Sequence, residues 1–153
     1  MRFHNSAIIH NKEVKGLHID SRTKAIKAAQ ASLDKKAKDV MVLELKDLTV
    51  IADYFVICSG ESTTQVKTIA EHIRENLIKV GIAPSRIEGF QYARWILLDY
   101  GDVIIHVFEK ETRQYYELEK LWLDAPRIPL ADKDNMDRKD ERAISEGRDR
   151  AVS

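Results

Sequence analysis

Trp95-Ile96-Leu97-Leu98-Asp99-Tyr100-Gly101-Asp102-Val103-Ile104-Ile105-His106-Val107-Phe108 is the stretch that decides the fold. Two β-prone apolar runs flank one glycine, and glycine accepts the positive φ that a tight turn demands. The stretch therefore reads as an antiparallel hairpin with strands over residues 95–100 and 103–108. A two-residue period puts Trp95, Leu97 and Asp99 on one face of the first strand and Ile96, Leu98 and Tyr100 on the other. One set is expected to pack on helices, leaving the other open.

Upstream, Tyr54-Phe55-Val56-Ile57-Cys58 is short and almost wholly apolar, as in a strand covered on both faces. Val40 to Leu45 and the brief Arg86-Ile87-Glu88 complete five strands. Ser62-Thr63-Thr64-Gln65 has the capping-box pattern, in which hydroxyl and amide satisfy orphan backbone donors at a helix start. The helix it opens has Val66, Ile69, Ala70, Ile73 and Leu77 as its buried stripe and Gly81 as its stop. A first helix is expected from Ser21, as N-cap, to about Ala37, burying Ile26, Ala29, Leu33 and Ala37. A last one is expected from Thr112 to Trp122, with Tyr115, Leu118 and Trp122 on its apolar side and Arg113, Tyr116 and Glu119 away from it. Because a hairpin is antiparallel and a helical crossover favours parallel pairing, the class is α/β: a mixed five-stranded sheet with flanking helices.

The 153 residues suffice for one domain. They divide into a weakly structured leader over 1–20, a folded domain over 21–127 and a charged tail over 128–153 that is too poor in large apolar residues to offset the cost of ordering it. The chain carries 25 basic and 25 acidic residues, and residues 21–131 alone hold 16 of each. Such balance argues against direct, phosphate-driven nucleic-acid binding, which needs a basic stripe. Cys58 is the lone cysteine, which excludes an internal disulfide and fits a reducing compartment. No run of 18 apolar residues offers a membrane span, and the first 20 residues lack a signal-peptide core. A cytoplasmic protein is expected.

Several segments together resemble the ribosomal silencing factor (Iojap-like) family. They are Asp47-Leu48-Thr49, then Ala52 to Gly60; Glu88-Gly89 with Ala93 to Val103; His106-Val107-Phe108; and Arg113 to Trp122. The resemblance covers roughly 21–127. It implies a nucleotidyltransferase-like fold without the catalytic carboxylates, and binding to the large ribosomal subunit through its fourteenth ribosomal protein. Docking there would block joining to the small subunit and repress translation. It also implies that related organelle proteins act in large-subunit assembly, and that a homodimer is possible.

Trp95 beside Leu97 and Asp99 has the composition of a protein-binding hot spot. As a large aromatic it is read from residue type first as core; the resemblance reverses this and implies the contact. Arg113, Tyr116 and Glu119 are either a solvated edge or a second part of that contact. His106 reads as a hydrogen-bonded structural residue, since no second histidine or cysteine stands at ligand spacing. Asp99 and Asp102 lie across a turn instead of one residue apart on a strand, unlike the converging acids of a metal-dependent transferase. No catalytic, cofactor or metal residues are therefore assigned. An enzyme with residual nucleotidyltransferase chemistry is the competing class.

Overall fold

The computed structural model describes residues 19–130. The expectations for the leader and for the tail beyond residue 130 lie outside the described residues.

Helix α1 spans Ser21–Asp34. Its N-cap is Asp20 and not Ser21: the carboxylate accepts from the Thr23 N–H at 2.7 Å, and Asp competes for this position as well as Ser does. The helix stops at Asp34 and not Ala37, because Lys36 turns the chain with φ of 62°. Its buried stripe also differs from the expected one. Ala25, Ala28, Ala29 and Ser32 face inward, while Ile26 and Leu33 are only half-buried. Small side chains let the helix lie close to its neighbours, so bulk is excluded from the face that hydrophobicity alone would have assigned to it.

Strands β1 (Lys38–Glu44) and β2 (Tyr54–Gly60) follow, then α2 (Thr63–Lys79), β3 (Arg86–Glu88), β4 (Trp95–Asp99) and β5 (Val103–Glu109). The five strands form one mixed sheet in the order β1-β2-β5-β4-β3. Only β2 and β5 run parallel; the other three pairings are antiparallel. Every residue of β2 is buried, as expected of a strand near the middle of the sheet. In α2 the expected stripe of Val66, Ile69, Ala70, Ile73 and Leu77 is the buried one.

The last expected helix is two elements. Helix α3 covers Lys110–Tyr116 and a 3-10 turn covers Leu118–Trp122. Glu117 breaks them apart with a left-handed φ of 48°. Tyr115, placed on the apolar side by spacing, is instead exposed.

The sheet carries a core on each side. Helices α1 and α2 close one side over Val42, Tyr54, Val56, Ile96, Leu98, Ile105 and Val107. On the other, Leu43, Phe55, Ile57, Ile104 and Phe108 are covered by the 3-10 turn and the chain after it, through Leu118, Trp122 and Ala125. That cover is smaller than two long helices. Beyond it the chain returns along β1, where Glu44 N–H donates to the Pro126 carbonyl (2.8 Å) and Ile128 N–H to that of Val42 (2.9 Å). Ile128, at the expected start of the tail, is thereby buried in the first core. At the opposite edge β3 has three residues, all exposed, and Arg86 pairs with Glu88 (3.3 Å) and Asp99 (3.4 Å).

Candidate functional site

The alternation along β4 separates two surfaces. Ile96 and Leu98 are buried under the long helices, while Trp95, Leu97 and Asp99 are half-buried on the opposite face. The turn after β4 is held by its own residues: Asp99 Oδ1 accepts from the Gly101 N–H at 2.8 Å, and Gly101 supplies a φ of 83°.

The Trp95 indole has aromatic neighbours on three sides. Phe108, its partner across the β4–β5 ladder, stacks at 4.7 Å and 29°. Tyr116 from α3 lies at 5.1 Å, tilted by 50°. The third is His106, whose Nδ1 accepts from the indole Nε1–H at 3.1 Å. Behind it the row continues through Phe55, edge-on to His106 at 4.6 Å, to Trp122, edge-on to Phe55 at 5.9 Å. Trp95 is thus neither a sealed core residue nor a free one. It is held from behind, with Tyr116 exposed beside it.

Residues Arg113 and Glu119 sit differently from the solvated edge that their spacing suggested. Arg113 is buried. It donates to the Ser59 hydroxyl (2.7 Å), the Asp39 carbonyl (2.8 Å) and Glu119 (2.9 Å). This guanidinium pins α3 and the 3-10 turn to the ends of β1 and β2. The structure therefore brings Trp95, Leu97, Asp99 and Tyr116 onto one accessible strip, with Arg113 and Glu119 beneath as support. A cleft of about 540 Å³ lies beside Arg113. Its rim mixes signs, with Lys110 3.9 Å from Glu61 and Lys120 2.8 Å from Glu117, so no single-sign field marks it for a phosphate.

The two turn carboxylates each have a partner within the fold. Asp99 holds its turn and Arg86, and Asp102 pairs with Lys24 at 2.7 Å. Among the described residues no group of three or more His, Cys, Asp or Glu side chains could hold a metal ion. None of the described helices is long and apolar enough to cross a membrane. Burial pushes the Cys58 thiol up to about 12, so it stays a protonated core residue. His106 is pushed down to about 4 by burial, which leaves it neutral. Sequence reasoning treated His106 alone and missed its tie to Trp95. The signal lay in the hairpin register: with Trp95 opposite Phe108, residue 106 is its diagonal neighbour on the same face.

Comparison with known proteins gives the chain's family. The model of the family described as "Ribosomal silencing factor during starvation" matches residues 18–152. The ribosomal silencing factor RsfS of Bacillus subtilis is 50% identical over 103 residues, covering 67% of this chain and 87% of that one. A crystal structure from Bacillus halodurans superposes with a TM-score of 0.61 at 44% identity, over 68% of this chain and 94% of its own. The mouse protein named "Mitochondrial assembly of ribosomal large subunit protein 1" is 35% identical over 91 residues, covering 58% of this chain and 40% of its own.

Proposed function

This chain belongs to the ribosomal silencing factor family, and from that membership we infer that it binds the large ribosomal subunit through its fourteenth ribosomal protein. Seated there, the folded domain blocks joining of the small subunit by its volume and represses translation in the cytoplasm. No turnover is required: inhibition follows occupancy. The observation that carries this reading is the strip of Trp95, Leu97 and Asp99 with Tyr116, left accessible on the less covered side of the sheet. Trp and Tyr are among the residue types most often found as energetic anchors in a protein interface. Arg113 and Glu119 contribute by holding Tyr116's helix in place.

The test is co-sedimentation with purified large subunits, followed by subunit joining in vitro. Saturating protein should suppress joining in proportion to the fraction of large subunits occupied. Trp95→Ala should weaken binding by about tenfold or more, as removal of an interface anchor does, with an unchanged circular dichroism spectrum. Full joining at saturation would eliminate the steric mechanism. A role in large-subunit assembly is the second reading, favoured by the name of the mouse relative. It predicts binding to incomplete large-subunit particles in preference to mature ones.

A further inference from the structure

We propose that His106 is the positioning residue for Trp95: its bare Nδ1 selects one orientation of the indole and holds it ready for docking. The inference rests on the reading that Trp95 belongs to the docking strip.

The hydrogen bond itself assigns the tautomer. An indole N–H can only donate, so at 3.1 Å from Nε1 the His106 Nδ1 must carry a lone pair and the proton must sit on Nε2. That Nε2 is buried without a partner among the described residues. An unpaired buried N–H costs about 1–3 kcal/mol, and Ile104 and Phe108, on the same face of β5, fill their places without any such cost. A histidine that served only to fill space would be a poor choice at 106. Its one satisfied nitrogen is aimed at Trp95.

The surrounding rings show what the bond adds. Phe108 stacks on the indole and Tyr116 lies against it, which restrains the ring's plane. Stacking does not distinguish the indole from its flipped rotamer, because either presents a flat apolar face. Only a directional acceptor does, and His106 supplies it from the adjacent strand, diagonally across the ladder. With the donor satisfied from within, the indole offers a partner apolar ring surface and no free N–H. The pocket that receives it need contain no acceptor.

The experiment uses ¹⁵N-labelled full-length protein and purified large ribosomal subunits. Trp95 and Trp122 indole resonances are distinguished with Trp122→Phe. In the unaltered protein the Trp95 Nε1–H should be shifted downfield and exchange slowly with solvent; free exchange would overturn the proposal without any variant. His106→Leu removes the acceptor at similar volume and should move this resonance upfield, hasten its exchange and weaken subunit binding about tenfold, the scale of one lost hydrogen bond and a freed rotamer. His106→Asn returns an acceptor near the position of Nδ1 and should restore both readouts in part. A moved resonance with unchanged affinity overturns the proposal, as does loss of affinity that Asn fails to recover. Trp95→Ala, run in parallel, separates the two levels. If it binds as the unaltered protein does, the docking reading itself fails; if it loses binding while His106→Leu keeps it, only the positioning role fails.

Discussion

Arg113 shows how far a single side chain's role can depart from its spacing. Its three-residue rhythm with Tyr116 and Glu119 resembles a solvated edge, yet the side chain reaches inward to acceptors on Asp39 and Ser59, far away in sequence. No local pattern encodes those partners, which is why the sequence leaves its burial hidden. Removing one member of a buried ion pair strands the other, at a cost of about 3–5 kcal/mol. Glu119 is partly solvated, so the lower end of that range applies. Arg113→Ala should accordingly lower the urea midpoint by an amount equivalent to about 3 kcal/mol, with Arg113→Lys recovering part of it. Because the same residue supports Tyr116, subunit binding should weaken alongside stability. The β4 residues were far more legible: period-two alternation is local, and it separates Trp95, Leu97 and Asp99 from Ile96 and Leu98 as the structure does.

Among the elements, α2 was readable because its cap, stripe and stop are all written within it. Ser62 does cap it, accepting from the Gln65 N–H at 3.1 Å. Gln65 departs slightly from the expected box: its Oε1 accepts from Glu61 N–H at 2.7 Å, one residue before the cap. Its amide nitrogen then donates to the carbonyls of Lys35 and Lys36, just past the end of α1. One side chain thus serves the start of one helix and the exit of another. Ser62→Ala should cost about 1 kcal/mol, the worth of an N-cap. Gln65→Ala should cost more, about 2 kcal/mol, since it forfeits contacts at both helices; thermal melts of the two variants compare them directly. The element least legible was the last helix. Tyr115, Leu118 and Trp122 recur at helical spacing, but Glu117 adopts a left-handed conformation that its side chain does nothing to announce.

For the molecule as a whole, the arrangement of two unequal covers explains both its stability and its proposed use. Two helices seal one side of the sheet, and a short turn of chain seals only part of the other. The buried His106 makes global stability sensitive to acid. In the unfolded chain its imidazole takes up a proton near its ordinary value of 6.5, whereas the fold resists protonation until about 4. Between those values the unfolded state binds more protons, so stability falls as pH drops through that window, by up to about 3 kcal/mol. Denaturation series at pH 7, 5 and 4 should show this loss in the native sequence and a flatter profile for His106→Leu.

The sheet's two borders have a consequence of their own. An unguarded strand invites copies of itself to add on, rung after rung, as in a growing fibril. Here one border is occupied by the returning residues Pro126 to Ile128, and the other is cut to three exposed residues with charges at Arg86 and Glu88. Chains crowded together thus find the simplest route to self-templated polymers obstructed. Among the described residues, pairing of two copies through side-chain surfaces is thereby favoured over extension of the five-stranded ladder.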